Sequence, residues 1–331
     1  MERHPLQHPS ALAIAALFLF MGVLNGCAFL VREAQVAYMN VNGAFSDKDL
    51  EIEINRSFIE KYKDRVSITA TFIVDKAMQN PVARIFDGDF HFSGRAPEIG
   101  LPAVAEIANG ASAKRASDLV HRAVGTGKPL KISGVWRIWA EHAGRAKEVQ
   151  GTPLPAEGSY TPGHVFEIHP VTRIGNIELL DTLRPVGRYM PGDARETLED
   201  YGKVACKLTV KPKTVSIVTR KGVYNDVEFL MEIAEDRQVT APGGRFVIAS
   251  AMDLKGNLLV KRLRMVFAAD TPPERAVRRL KRGDRLHVFG LPRVDFAEIS
   301  RRVKNSQTDP ALLVKPLPYE IIVEGVYSDS K

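Results

Sequence analysis

Stretches where apolar and polar residues alternate, or where β-branched residues crowd together, recur along most of the chain and predict strands. Leu50–Ile54 is such a run, and a short helix follows over Ser57–Lys63 with Ser57 as its cap. Arg65–Lys76 (RVSITATFIVDK) predicts a strand from its β-branched residues. In Asp89–Arg95, Phe90 and Phe92 share one face while His91 takes the other. Leu101–Ala108 predicts a third strand of this set. Ala113–Val124 reads as an amphipathic helix with Ala116, Leu119, Val120 and Ala123 on one face, stopped by Gly125 and Gly127. Leu130–His142 and Val165–Ile174 close the series, giving three strands, a helix and two strands.

The second half repeats that order. Val227–Ala234, Arg245–Asp253 and Leu258–Ala268 predict strands, and Pro272–Arg282 a helix whose prolines suit its first turn. Asp284–Val294 and Tyr319–Tyr327 are the last two strands. KISGVWRI and RLHVFGLPRV occupy corresponding steps, each with a glycine (Gly134, Gly290) inside strand four, where a small barrel needs a bend. This is the element order of the OB-fold, a small Greek-key barrel. The expected fold is mainly β, with two OB-fold-like barrels at 65–175 and 226–331. Residues 27–64 form an N-terminal lead, and 176–225 a connecting region with a Pro-flanked helix (Ala194–Tyr201) and two strand-like runs.

The N-terminus sets the address. A mainly polar stretch of ten residues precedes Ala11–Leu24, an uncharged apolar run too short for the roughly 20 residues of a spanning helix and typical of a signal-peptide core. It ends in Leu24-Asn25-Gly26-Cys27, which resembles the lipobox of bacterial lipoproteins. The resemblance implies removal of residues 1–26 and lipidation of Cys27, and Ala28 implies outer-membrane sorting. An uncleaved anchor running through Val31 and an ordinary secretory signal are the alternatives, and all three place the remaining chain outside the cytoplasm. Cys206, the second of two cysteines, is then unpaired and reads as a small buried hydrophobe.

Charge is unevenly spread. The 331 residues carry a formal net charge of +7. Lys+Arg against Asp+Glu is 17 to 17 over residues 45–180 and 27 to 19 over 182–331. The basic clusters include Lys261, Arg262 and Arg264, then Arg278, Arg279 and Arg282. They suggest a polyanion-binding face for lipopolysaccharide, anionic lipid or nucleic acid, weighed against a merely solvated surface. Nucleic acid is disfavoured because exposed aromatics for base stacking are not interleaved with the cations.

The richest polar cluster is Arg137, Glu141 and His142 on strand four with His164, Glu167 and His169 on strand five. Adjacent strands bring these sets together, and imidazoles with carboxylates could hold a divalent ion. The histidine spacing suits a strand face poorly for tetrahedral ligation. A paired network without stoichiometric metal is therefore expected, with Arg137 or Arg173 balancing the acids, and no cofactor is assigned. Trp136 and Trp139 are expected in core or interdomain packing, and Asp87-Gly88-Asp89 as an ordinary turn. There is no GxSxG, phosphate loop or plausible cysteine nucleophile.

The segments GVWRIWAEH, HVFEIHPVTRI and LPYEIIVEGVY give the chain a resemblance to a bacterial lipoprotein family with tandem OB-fold-like domains. That implies a membrane-anchored, periplasm-facing binding or assembly module with a protein or polyanionic partner, and no enzymatic activity. A metal-dependent or nuclease-like hydrolase on the first barrel is the main alternative.

Overall fold

In β2 (Ser67–Ala77), which follows β1 (Leu50–Asn55) and α1 (Arg56–Tyr62), the alternation does what the pattern requires. Ile68, Ala70, Phe72 and Val74 are buried on one side. The computed structural model describes residues 50–83, 86–142, 147–151, 154–187, 189–219 and 225–328. Residues 1–26, Cys27 and most of the N-terminal lead lie outside them. β2 pairs antiparallel with β3 (Phe90–Arg95) and with β5 (Pro129–Ile138). β3 pairs with β4 (Ala103–Ile107), which α2 (Lys114–Ala123) follows. After β6 (Lys147–Val149), β7 (Phe166–Ile174) pairs antiparallel with β5 and parallel with β4. That last pairing closes a five-strand barrel, and β8 (Ile177–Glu178) extends β7 at its rim.

β9 (Gly192–Asp193), α3 (Ala194–Lys203), β10 (Cys206–Val210) and β11 (Thr214–Thr219) lead into the second barrel. Its strands are β12 (Val227–Ile233), β14 (Gly244–Met252), β15 (Leu258–Ala268), β16 (Arg285–Val294) and β17 (Tyr319–Val326), with β13 (Val239–Ala241) flanking β14. β12 joins both β14 and β16, β15 joins β14, and β17 joins β16 antiparallel and β15 parallel. In both barrels the strands run one-two-three-five-four around the wall, closed by parallel pairing of three with five. A helix sits between strands three and four: α2 in the first barrel, α4 (Pro272–Val277) in the second. These are two OB-folds in tandem.

The glycines of strand four have a visible cause. A Cβ on Gly134 would lie 2.5 Å from the Pro170 carbonyl oxygen, and one on Gly290 2.2 Å from that of Ile322. Both sit at irregularities in the pairing with strand five. Strand five crosses so closely there that only a residue without a side chain fits.

Several boundaries differ from expectation. The lead and the connecting region share one sheet, ordered β10-β11-β1-β6, with β1 fully in register against β11. The first helix starts at Arg56 with Asn55 at its cap position, two residues before the expected cap Ser57. Strand four of the first barrel ends at Ile138; beyond it Trp139 N–H still donates to Val165 O and His164 N–H to His142 O, outside ladder geometry. α4 stops at Val277, so Arg279 and Arg282 lie in the turn after the helix. A further helix, α5 (Phe296–Asn305), packs on α1. Trp136 stacks on Phe296 at 4.6 Å, and Trp139 meets Tyr201 of the connecting region edge-on at 5.4 Å. Both tryptophans are buried.

Candidate functional site

The two barrels meet along their fourth strands, and two fully buried arginines hold the seam. Arg137 on β5 lies opposite Glu167 on β7, and Arg293 on β16 lies opposite Glu320 on β17. Arg137 donates to Glu167, to Glu141 Oε2 at 2.7 Å and to Asn225 Oδ1 at 2.9 Å. Its Nε reaches across to Pro292 O of the second barrel at 2.8 Å. Arg293 donates to Glu320 Oε1 at 2.7 Å and reaches back to Trp136 O at 3.0 Å and Val66 O at 3.1 Å. Counted from the strand-four glycines, Trp136 and Pro292 hold the same place in the two halves. The clasp is therefore reciprocal.

On the first barrel's side of the seam, the five acids and histidines of the expected polar cluster come together with Arg137. Glu141 pairs with His142 at 2.5 Å, and the His142 ring stacks on His164 at 5.3 Å. His164 sits in the loop before β7, where its Nδ1 meets Pro162 O at 2.6 Å and its Nε2 meets Glu167 at 3.2 Å. His169 lies on β7 with Nδ1 3.5 Å from Glu167. Arg137 links the two strands as the sequence suggests, whereas Arg173 pairs at the surface with Glu178.

The cluster is larger than the sequence pattern indicates. His169 Nδ1 is also 3.2 Å from Glu106, while its Nε2 is 3.1 Å from Asp89 and 3.4 Å from Glu324 of the second barrel. His91 lies 3.3 Å from Glu106. Asp87, Asp89, His169, Asp226 and Glu324 line the polar side of a small pocket between the barrels, and Val186, Phe289 and Leu291 its apolar side. Its volume is about 10 Å³, room for a single water-sized species. The Asp87-Gly88-Asp89 segment is a turn, since Asp89 N–H donates to Asp87 Oδ1, but Asp89 itself is buried in the cluster. The sign that was available is an acid set among apolar strand residues, Glu106 alone in AVAEI and Glu324, beside Glu320, in EIIVEGV.

Burial in this acid-rich seam shapes the charge states. It pushes the Asp89 carboxyl up to about 8, helped by the negative neighbours Asp87 and Glu324. Burial drives Glu106 and Asp226 well above the usual carboxylate range. It acts upward on Glu141 and Glu167 too, but the Arg137 guanidinium holds both below that range. Burial opposes charge on His169, yet Glu106 and Glu324 hold its imidazolium well above the ordinary histidine value. His91, dominated by burial, falls to about 3.

Three of the six basic candidates of the second half are occupied. Arg264 is mostly buried, with its guanidinium 3.5 Å over the Phe246 ring and 3.3 Å from Glu320. Arg262 pairs with Glu235, and Arg278 with Glu274 at 2.6 Å. Lys261, Arg279 and Arg282 are exposed and form no ion pair among the described residues. Lys255, Arg237 and Lys281 are exposed in the same half and likewise form no ion pair among the described residues.

Set against family models and curated proteins, the chain finds no match. Among solved structures it is similar to the single-stranded DNA binding protein from Thermus aquaticus. The wild-type structure is 9% identical and covers 86% of this chain and 95% of its own. A deletion mutant of that protein is 10% identical over 86% and 97%. The TM-score is 0.21 in each case. At that value the molecules do not superpose as wholes, and the OB assignment stands on strand order and closure.

Proposed function

We propose that the chain is a non-enzymatic binding module, held outside the cytoplasm by a lipid on Cys27, whose second barrel meets an anionic lipid surface. The reading is carried by the inequality of the two faces formed by strands two and three, where OB-folds commonly bind. In the first barrel this face is covered by the chain's own loop before β7. Ser93 Oγ donates to Ser159 O at 2.5 Å, Arg95 to Leu154 O at 3.3 Å, and Glu157 N–H to Asp75 at 3.0 Å. β4 is buried along its whole length. In the second barrel the far end of the β14–β15 hairpin is open. Leu254 and Leu258 are 53% and 46% exposed there, beside exposed Lys255, Lys261 and Arg262. Apolar tips flanked by cations suit a negatively charged lipid interface.

The test is co-sedimentation of the unlipidated chain from residue 28 onward with vesicles containing or lacking anionic lipid, at two ionic strengths. Binding should require anionic lipid, weaken with salt, and fall several-fold in Lys261→Glu/Arg262→Glu. Salt-indifferent binding, or a preference for single-stranded DNA over vesicles, overturns the reading. Anchoring is tested by mass spectrometry of the membrane fraction, where an intact Met1 peptide excludes processing at Cys27.

A further inference from the structure

We propose that Asp89, His169 Nε2 and Glu324 bind one divalent transition-metal ion across the seam between the two barrels. This does not depend on the function proposed above. Among the described residues, three groups of side chains in the seam bring ligand atoms within 4.8 Å of one another: Asp89/His169/Glu324, Glu106/Glu167/His169 and Glu141/His142/Glu167. The second and third both include Glu167, whose charge is already taken by the Arg137 guanidinium. A cation added there would face a fixed positive charge. The first group contains no ligand bonded to Arg137, and it opens on the ion-sized pocket with Asp87 and Asp226 beside it.

A second observation points to a ligand at this place. Glu324 is 4% exposed, lines the pocket, and its Oε1 accepts no hydrogen bond. Neither ring nitrogen of His169 makes a hydrogen bond of good geometry, although each lies near two carboxylates. Buried polar atoms are ordinarily satisfied, and buried carboxylates are paired or coordinate a metal. A metal on Nε2 would resolve both vacant valences. It would leave Nδ1–H free to donate to Glu106 at 3.2 Å, the arrangement in which an outer carboxylate orients a ligating histidine.

One imidazole nitrogen with carboxylate oxygens is a donor set for zinc or manganese, and too nitrogen-bearing for a calcium cage. The ligands come from three separate places, the turn before β3, β7 and β17. The histidine spacing on strand five, which argues against a metal held within 164–169, therefore does not bear on this site.

The experiment uses the full chain in detergent, stripped with a chelator and dialysed against Zn²⁺ or Mn²⁺ alone, with bound metal measured by elemental analysis and affinity by calorimetry. One equivalent should bind. Glu324→Gln, a near-isosteric change at an atom without a hydrogen bond, should weaken binding beyond the about 10–100-fold typical of outer-sphere changes. Glu106→Gln should fall within that range at unchanged stoichiometry, and His142→Asn should bind as the wild type does. Failure of the wild type to bind either metal, or equal affinity in Glu324→Gln, overturns the proposal. Should Glu324→Gln not fold, X-ray absorption of the loaded wild type decides. One imidazole with an otherwise oxygen shell supports the site, and two or more imidazoles, or none, overturn it.

Discussion

Arg137 and Arg293 occupy the same place in the two barrels and live in different electrostatic surroundings. Each follows a strand-four glycine by the same spacing, faces a glutamate on strand five, and donates to the backbone of the opposite barrel. Around Arg137 the neighbours are acids and imidazoles, and the guanidinium holds Glu141 and Glu167 ionised against the pull of burial. Around Arg293 a second guanidinium, Arg264, shares Glu320, with Asp295 3.7 Å from Arg264, and the ring of Trp136 lies 3.8 Å beneath Arg293. Burial there pushes Glu320 up to about 7 in spite of both cations. Strand register builds the pair. The elements laid over it decide which partner bears the charge.

The comparison is broken most forcefully by removing each cation. Arg137→Met leaves Glu141 and Glu167 buried without a guanidinium and should cost about 3–5 kcal/mol, the usual loss for stranding a buried charge. Arg293→Met leaves one carboxylate that already takes a proton near neutrality and should cost less, about 1–3 kcal/mol. Urea unfolding of both variants at pH 7 gives the two values. Equal losses would mean that the surroundings do not matter and the pair alone does.

Gly134→Ala and Gly290→Ala probe what the two strands share. Each new Cβ would press on the strand-five backbone, so both should lose about 3 kcal/mol by overpacking. A loss at one glycine only, read in the same unfolding assay, would show that the two halves are not built alike. These glycines are legible in the sequence because a residue without a side chain inside a β-rich run has few other reasons to be there. The strand order was legible for a similar reason: alternation survives wherever one face lines a barrel. The seam was not. Glu106 and Glu324 belong to outward faces, and they are buried because the outward faces of two barrels cover each other. The third sheet escaped too, since β1 and β11 come from separate segments with no local signal of pairing. α5 could have been found, as Asp295 accepts the Glu298 N–H and Asp-x-x-Glu is a helix-start spacing.

The charge difference has its own pH signature. Glu320 sits at about 7 in the folded chain against an ordinary value of 4.5. Between those values the folded chain holds a proton that the unfolded chain lacks. The stabilisation is full below 4.5 and is lost as pH rises through 7, by on the order of 3 kcal/mol. Glu320→Gln should remove this fall, seen as a flatter plot of unfolding free energy between pH 5 and 8 than the wild type gives. A slope unchanged by the substitution would place the titration elsewhere in the seam.

The smallest effect separates the two outer faces. Ser93 on strand two of the first barrel ties down the covering loop through Ser159 O, so Ser93→Ala should lose about 1 kcal/mol, the ordinary worth of a hydrogen bond. Ser250, on strand two of the second barrel, is partly exposed and has no covering loop held by its hydroxyl among the described residues. Ser250→Ala should stay within about 0.5 kcal/mol of the wild type. Ser93→Ala should also speed cleavage of residues 154–164 by a non-specific protease, because the loop is released locally before the barrel unfolds. Were the loop no more sensitive in Ser93→Ala than in the wild type, the first barrel's face would be closed by packing alone, and its difference from the second would owe nothing to this bond.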